Sequence, residues 1–324
     1  MVSRPVVVLG DLNADLTLDL PDRSAPPSLR VVSEPRLTGG GTAANTAAAL
    51  ARLGMPVEFV GAVGDDGFGR WLADDLRAAG VGTRGLVVTR DAPTCQVIAM
   101  VEPDGERYLV VWPLDMGALA RLEPAQLDGG LVSGAAWLHT TGMCLRSSPI
   151  ADAVLAGMRA ARAAGVPVSI DLNLRLELWD LGPRVLEAVR EAVGLADVVL
   201  GSGTEELVPL ARALGHAPAD PATAASALAG GRRTVVGRLG AAGAIACAAD
   251  GRPVEAAGFP VALRNPVGAG DAFNGGFIAA MVAGQSLGEA IRWGNAVGAR
   301  KVARGGGARD LPDRAEVEAL LQPG

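Results

Sequence analysis

The sequence predicts a three-layer α/β domain, with a mostly parallel sheet, helices on both faces and a small β-sheet lid made from two separate stretches. Three observations carry that reading. Val6 to Leu9 is a short, wholly apolar run closed by Gly10, as expected of a parallel strand buried on both faces and central in the sheet. Ala135 to Thr141 and Pro167 to Ile170 are further apolar runs with a helical stretch, Pro149 to Ala164, between them, and such a βαβ unit implies a right-handed crossover. Phe273, Phe277 and Met281 recur at a spacing of four, so about Ala269 to Ala283 reads as an amphipathic helix with its apolar stripe on a core.

The chain of 324 residues is 49% hydrophobic, enough for a sizeable core, and residues 1–324 are read as a single domain. Glycine is abundant at 44 residues while one Tyr and five Phe leave aromatics scarce, so small residues should let helices pack closely on strands. A net charge of -6 gives no basic footprint for nucleic acid, and anion binding must then be local, through loops and single Arg side chains. Cys95, Cys144 and Cys247 lie far apart without a C-x-x-C pair and are accompanied only by His139 and His216, which excludes a zinc cluster and points to three reduced, mostly buried thiols. The apolar run at the start is too short for a signal peptide or a membrane span, so no membrane partner and a cytoplasmic location are expected.

Taken in order, Gly10 to Leu16 sets Asp11, Asn13 and Asp15 at the carboxyl end of the first strand, where open α/β sheets bind ligands. Residues of roughly 15 to 38 hold Pro21, Pro26, Pro27 and Pro35 with weak alternation and read as edge strands and loops. In a second such patch, Gln96 to Val101 and Arg107 to Trp112 flank a Pro-Asp-Gly turn as a hairpin. The lid is assigned to about 12–38 and 94–113. Thr42 to Leu53 is Ala-rich and helical, stopped by Gly54 and Pro56; its entry, Gly39-Gly40-Gly41, offers bare backbone to a ligand that Asn45 can reach from one turn in. Val57 to Gly69 is a strand followed by closely spaced glycines. That pattern resembles a dinucleotide-binding turn and would suit an NAD(P)-dependent oxidoreductase, but Asp65 and Asp66 put two negative charges where a pyrophosphate should sit. His139, inside an apolar strand, reads as a satisfied core residue.

The stretch Asn265 to Phe273 sets a glycine turn against a carboxylate and runs straight into a helix. A helix start leaves N–H groups without partners and carries about half a positive charge, so Gly268, Ala269 and Gly270 make an anion site with Asp271 beside it. Phosphoryl transfer to an alcohol needs that pair: an aspartate takes the hydroxyl proton while N–H donors and a metal ion hold the negative charge of the moving group.

Gly268-Ala269-Gly270-Asp271-Ala272-Phe273 resembles the G-A-G-D-x-F signature of the ribokinase-like carbohydrate kinases, the PfkB family, and Gly39 to Gly54 is similar to that family's other signature, a glycine run, an Asn and an A-R-L-G helix end. The resemblance spans essentially the whole chain. It implies a ribokinase-like fold with its β lid, ATP and Mg2+ as cofactors, and Asp271 as general base toward a hydroxyl of a small carbohydrate. It gives Asn13 and Asp15 to sugar hydroxyls, with Gly40, Gly41 and Asn45 beside them. Asp171 to Trp179 looks like the D-x-N-x-R-x-x-L-W run of members acting on keto-sugar acids and ketohexoses, so Arg175 is expected to pair with a carboxylate or donate to a sugar oxygen.

Val198 to Glu206 occupies the place of the family's N-x-x-E motif, whose Glu helps position the magnesium shell; Ser202 replaces the usual Asn if Glu205 is the motif acid, with Glu206 as the alternative register. Val235 to Ala244 resembles the strand and turn that carry the nucleotide phosphates, which gives Ser202, Arg238, Gly240 and Gly243 to the nucleotide, and Asn295, in a helical stretch opening at Trp293, to its base. The expected activity is an ATP-dependent sugar kinase for a small carbohydrate or keto-sugar acid of the 2-keto-3-deoxygluconate, fructose or ribose type, working as a homodimer through the lid. A nucleoside kinase of the same family is the alternative, and the scarcity of aromatics counts mildly against it. Family members often begin the signature with D-T, whose Asp belongs to a loop holding an activating monovalent cation; this chain has Asn265-Pro266, so weak or absent activation by potassium is expected.

Overall fold

The structure, a computed structural model, describes residues 4–21, 34–103, 107–113, 115–176, 180–304 and 309–322. From the start, the chain forms β1 (Val6–Leu9), β2 (Asn13–Asp19), β3 (Arg36–Gly40), α1 (Thr42–Arg52), β4 (Val57–Gly64), α2 (Gly67–Ala78), β5 (Gly82–Thr89), β6 (Gln96–Val101) and β7 (Arg107–Trp112). The middle supplies α3 (Gly129–Ser133), β8 (Trp137–Thr141), α4 (Ile150–Ala163), β9 (Val168–Asp171), α5 (Pro183–Leu195), β10 (Val198–Ser202), α6 (Val208–Ala213) and α7 (Pro221–Ala229). The remainder adds β11 (Thr234–Arg238), β12 (Gly243–Cys247), β13 (Pro253–Ala257), α8 (Ala269–Val282), α9 (Leu287–Arg304) and α10 (Arg314–Leu321).

Nine strands make one sheet in the order β13-β12-β11-β10-β9-β8-β1-β4-β5, parallel except where β12 pairs antiparallel with β11 and β13. Along β1, Val7 and Leu9 join one apolar cluster and Val6 and Val8 the other, so an unbroken apolar strand is explained by a core on each side. One core holds the buried faces of α3 to α7 and the other those of α1, α2, α8, α9 and α10, giving three layers and an α/β fold. β1 is interior, between β8 and β4, although it stands nearer the β5 edge than the middle. A second sheet of order β3-β2-β6-β7 pairs β2 parallel with β6 and contains the hairpin expected at 96–112. Residues 22–33, where Pro26 and Pro27 fall, lie outside the described residues.

Two local expectations are corrected. α8 is not amphipathic, because every residue from Asp271 to Ala280 is buried. Its glycines let neighbours close on opposite sides: a Cβ at Gly275 would lie 2.5 Å from Ala49 Cβ of α1, and one at Gly276 would lie 2.8 Å from the Trp293 carbonyl of α9. Trp293 is also inside α9 rather than at its start.

The glycine-rich turn after β4 is closed to a pyrophosphate. Asp66 caps α2 by accepting from Gly69 N at 2.8 Å and holds Thr94 N at 2.8 Å, so the helix start already has its anion, and Asp65 pairs with Arg70 and Arg90. His139 is a core residue: its Nδ1 meets Ser169 Oγ at 2.8 Å, and burial lowers its pKa to about 4. All three cysteines are free, with Cys144 and Cys247 buried and Cys95 half-buried. Among the described residues no helix is long and apolar enough to cross a membrane.

Candidate active site

The start of α1 is set by the turn that follows β1. Gly41 has a left-handed φ of 98°, and a Cβ there would lie 2.5 Å from the Asp11 carbonyl; at Gly40 it would lie 2.3 Å from Asp15 Oδ2. The glycine run is thus required by close approach of the protein's own strand turn. Asp11 then caps the helix from outside it, Oδ2 accepting from Thr42 N at 2.7 Å and Oδ1 from Ala43 N at 2.9 Å. Asn45, one turn in and 7% exposed, is carried against α8.

There Asn45 Nδ2 donates to Asp271 Oδ2 at 2.9 Å, and Thr46 Oγ1 donates to the Asp271 carbonyl at 3.4 Å. Asp271 is 8% exposed. Burial raises its pKa to about 7; the Asn45 hydrogen bond opposes that rise, Asp171 and Asp11 reinforce it, and Arg238 opposes it. Gly268, with φ 78°, turns the chain into α8 and accepts from Ala272 N at 2.9 Å. The Ala269 N–H donates to the Pro266 carbonyl at 3.1 Å. It is therefore spent within the turn, and of the three residues expected to bind an anion, Gly268 and Gly270 are left as N–H donors.

Asn13 donates through Nδ2 to Asp15 Oδ1, so these two residues meet as a pair at the start of β2. Burial raises the Asp15 pKa to about 6; Arg309 and Asn13 oppose the rise and Asp11 adds to it. Arg309 also pairs with Asp75 and donates to the Gly40 carbonyl at 3.4 Å, tying the small sheet to α2. Nothing local in the sequence marks Arg309, since its partners are more than two hundred residues away.

The carboxyl ends of β9, β10 and β11 hold a buried charge cluster that sequence reading did not assemble. Arg238 donates to Asp171 through NH1 at 3.2 Å and NH2 at 2.8 Å, and to Asn274 Oδ1 through NH1 at 2.7 Å. Asn274 Nδ2 donates to Asp171 Oδ2 at 2.7 Å. Glu206 lies 3.7 Å from Arg238 NH2 and accepts from Leu174 N at 2.7 Å and Ser202 N at 2.6 Å. This revises two expectations. In the motif after β10 it is Glu206 that turns inward, while Glu205 is exposed, because the wide helical turn Gly203–Leu207 carries the second acid toward the sheet. Arg238 is not an open cation, because its fork is already engaged by Asp171 and Asn274.

Ser202 caps that turn, its Oγ accepting from Glu205 N at 3.4 Å. Gly240, at φ 61°, has open space where a Cβ would stand, whereas one at Gly243, φ 101°, would lie 2.2 Å from the Ala256 carbonyl. Asn295 donates to the carbonyls of Ala256 at 3.0 Å and Ala257 at 3.2 Å, so its amide nitrogen is committed to the end of β13. Beside it, Ala256, Ala257 and Phe259 line an open cleft of about 400 Å³ with Arg292 and Ser286. A larger cavity of about 670 Å³, lined by Ala62, Val87, Asp91 and Arg121, contains none of the site residues. Arg175 is exposed with a left-handed φ of 49°; the end of its run, residues 177–179, lies outside the described residues.

The pfkB family carbohydrate kinase profile matches residues 3–314. A 5-dehydro-2-deoxygluconokinase of Photobacterium profundum is 28% identical over 95% of this chain and 92% of its own length, and fructokinase-2 of Zea mays is 32% identical over 98% and 93%. An E. coli structure solved in complex with ATP and Mg2+ is 26% identical, covers 99% of each chain and superposes with a TM-score of 0.85. With nearly every residue inside the match, and the GAGD turn, Asn45 and Asp271 brought together in the fold, the chain belongs to the pfkB family of carbohydrate kinases.

Proposed function

We propose that this chain transfers the γ-phosphoryl group of ATP, with Mg2+, to a hydroxyl of a keto-sugar or keto-sugar acid, that Asp271 is the general base, and that the small sheet acts as a lid on a single domain. One observation carries the reading: a buried carboxylate stands in the first turn of α8, beside the helix start and held by Asn45, where burial raises its pKa to about 7. A base of that pKa is half ionised near neutrality, where proton abstraction from an alcohol is served best. Asn45 occupies Oδ2 and leaves Oδ1 to take the proton, while the start of α8 faces the negative charge that develops.

The residues fit both cofactors. Gly240 exposes bare backbone at a turn, as a phosphate cradle requires; Gly243 ends that turn and Ser202 pairs in register with Arg238 just before it. Asp171 and Glu206 already spend their oxygens on Arg238, Asn274 and backbone N–H groups, so they would lend Mg2+ charge at longer range while the ion kept its waters and phosphate oxygens. When bound, Mg2+ and ATP supply charge neutralisation and the phosphoryl group. Asn13 and Asp15, joined to each other and backed by Gly40, supply donor and acceptor atoms for sugar hydroxyls.

The acceptor class rests on the Asp171 to Trp179 run and on relatives named fructokinase and 5-dehydro-2-deoxygluconokinase. Pairing of two copies through the lid is supported by β7, an edge strand that exposes Tyr108, Leu109, Val110 and Trp112 on both of its faces. The test is ADP release over a panel of fructose, ribose, 2-keto-3-deoxygluconate, 5-dehydro-2-deoxygluconate and adenosine. A ketose or keto-acid should give the highest kcat/KM, and adenosine in first place would overturn the assignment.

A further inference from the structure

We propose that Arg238 is a positioning residue for the transfer: by bridging Asp171 and Asn274 beneath Gly270 it fixes the first turn of α8, and with it the anion site and Asp271, relative to the ends of β9 and β11. The inference rests on the kinase reading above. Three side chains from three elements close a ring. Arg238 reaches both Asp171 oxygens and Asn274 Oδ1, and Asn274 Nδ2 returns to Asp171 at 2.7 Å. Asn274 stands three residues after Asp271, on the next turn of α8, so holding its amide at both ends sets the rotation of the helix about its axis.

The guanidinium is also in contact with the anion turn itself. A Cβ at Gly270 would lie 3.5 Å from Arg238 Cζ and 3.7 Å from NH2, so the planar group is seated directly against that backbone. It is one cation among three acids, paired with Asp171, 3.7 Å from Glu206 and near enough to Asp271 to draw its pKa down. A ring of this kind is a poor device for stability alone, because a buried ion pair returns little beyond the cost of its own desolvation. As a device for placing a helix start it is well made, since a planar fork reaches three acceptors at fixed angles and a lysine would reach them one at a time.

The test pairs amide hydrogen exchange on the free protein with steady-state kinetics on the best acceptor. In Arg238→Gln, exchange over residues 266–274 should quicken by about tenfold and kcat should fall by about 10²-fold, with acceptor KM within about threefold of the parent. Arg238→Lys should keep the same local loosening, because it restores the charge but not the fork. Should Arg238→Gln not fold, Asn274→Ala leaves the Arg238–Asp171 pair intact and must loosen the same segment. Exchange over 266–274 that matches the parent in a folded variant would overturn the proposal. The exchange measurement needs no substrate, so a parent that phosphorylates no sugar would count against the kinase reading alone.

Discussion

Asn45 on α1 holds Asp271 on α8 through a 2.9 Å hydrogen bond, across 226 residues of sequence, and with the Thr46 bond to the Asp271 carbonyl it joins the two glycine-led helix starts into a single site. Because the donor favours the ionised carboxylate, removing it should raise the Asp271 pKa further. Asn45→Ala is therefore expected to move the acid limb of the kcat profile to higher pH and to lower kcat at pH 7 by about tenfold, as fits a bond to a charged group of about 1.5–3 kcal/mol. Rates across pH 5 to 9 check this, and an acid limb left where the parent has it would contradict the contact's role.

The raised pKa of Asp271 has a consequence for stability. Its folded value of about 7 lies above the ordinary 3.8, so between those values the folded state binds more protons than the unfolded one. The stability this contributes is full below the ordinary value and is lost as pH rises through about 7. Asp271→Asn removes the ionisation, so the variant should melt above the parent at pH 8, with the difference shrinking toward pH 5. Melting curves at several pH values test this, and a parent that gains on the variant as pH rises would contradict it.

The exposed apolar side chains of β7 give a prediction for assembly. Leu109→Lys places a charge on an edge strand already rich in exposed Tyr108, Val110 and Trp112. Sedimentation should show a dimer for the parent and a monomer for the variant. A parent that is monomeric at micromolar concentration would refute lid-mediated pairing.

Weak or absent activation by potassium is expected from the loop before α8. Asn265 supplies no full negative charge to offset a dehydrated cation, and the loop is pinned by Arg264 N and Asn265 N donating to the Val302 carbonyl at 3.2 and 3.1 Å. Next to Val302, Lys301 is buried with an ammonium that has no hydrogen-bond partner among the described residues, which places a basic group at this end of α9. Initial rates with and without potassium at constant ionic strength should agree within about twofold. A rise of about fivefold or more would contradict the expectation.

Much of the fold was legible because its signals are local. Val6 to Leu9, Pro167 to Ile170 and the 96–112 hairpin announce their elements by apolar runs and turn residues, and the GAGD and glycine-run signatures locate the two helix starts. What the sequence withheld depends on contacts between distant segments. Arg238 is assigned by the sequence to the nucleotide, and only the fold brings Asp171 from β9 and Asn274 from α8 to it, while Arg309 acquires its role only beside Asp75 and Gly40. The choice between Glu205 and Glu206 turns on one residue of helical phase after β10, which spacing alone does not fix.

The central claim is that Asp271 takes the proton from the acceptor hydroxyl, and the most direct measurement is the turnover of Asp271→Asn on the best acceptor, by ADP release at saturating ATP. The variant should fold and bind ATP as the parent does while kcat falls by about 10²–10⁴-fold, the usual contribution of a general base. Retention of more than about a tenth of the parental turnover by a folded variant would contradict the account, since no lost general base leaves so much.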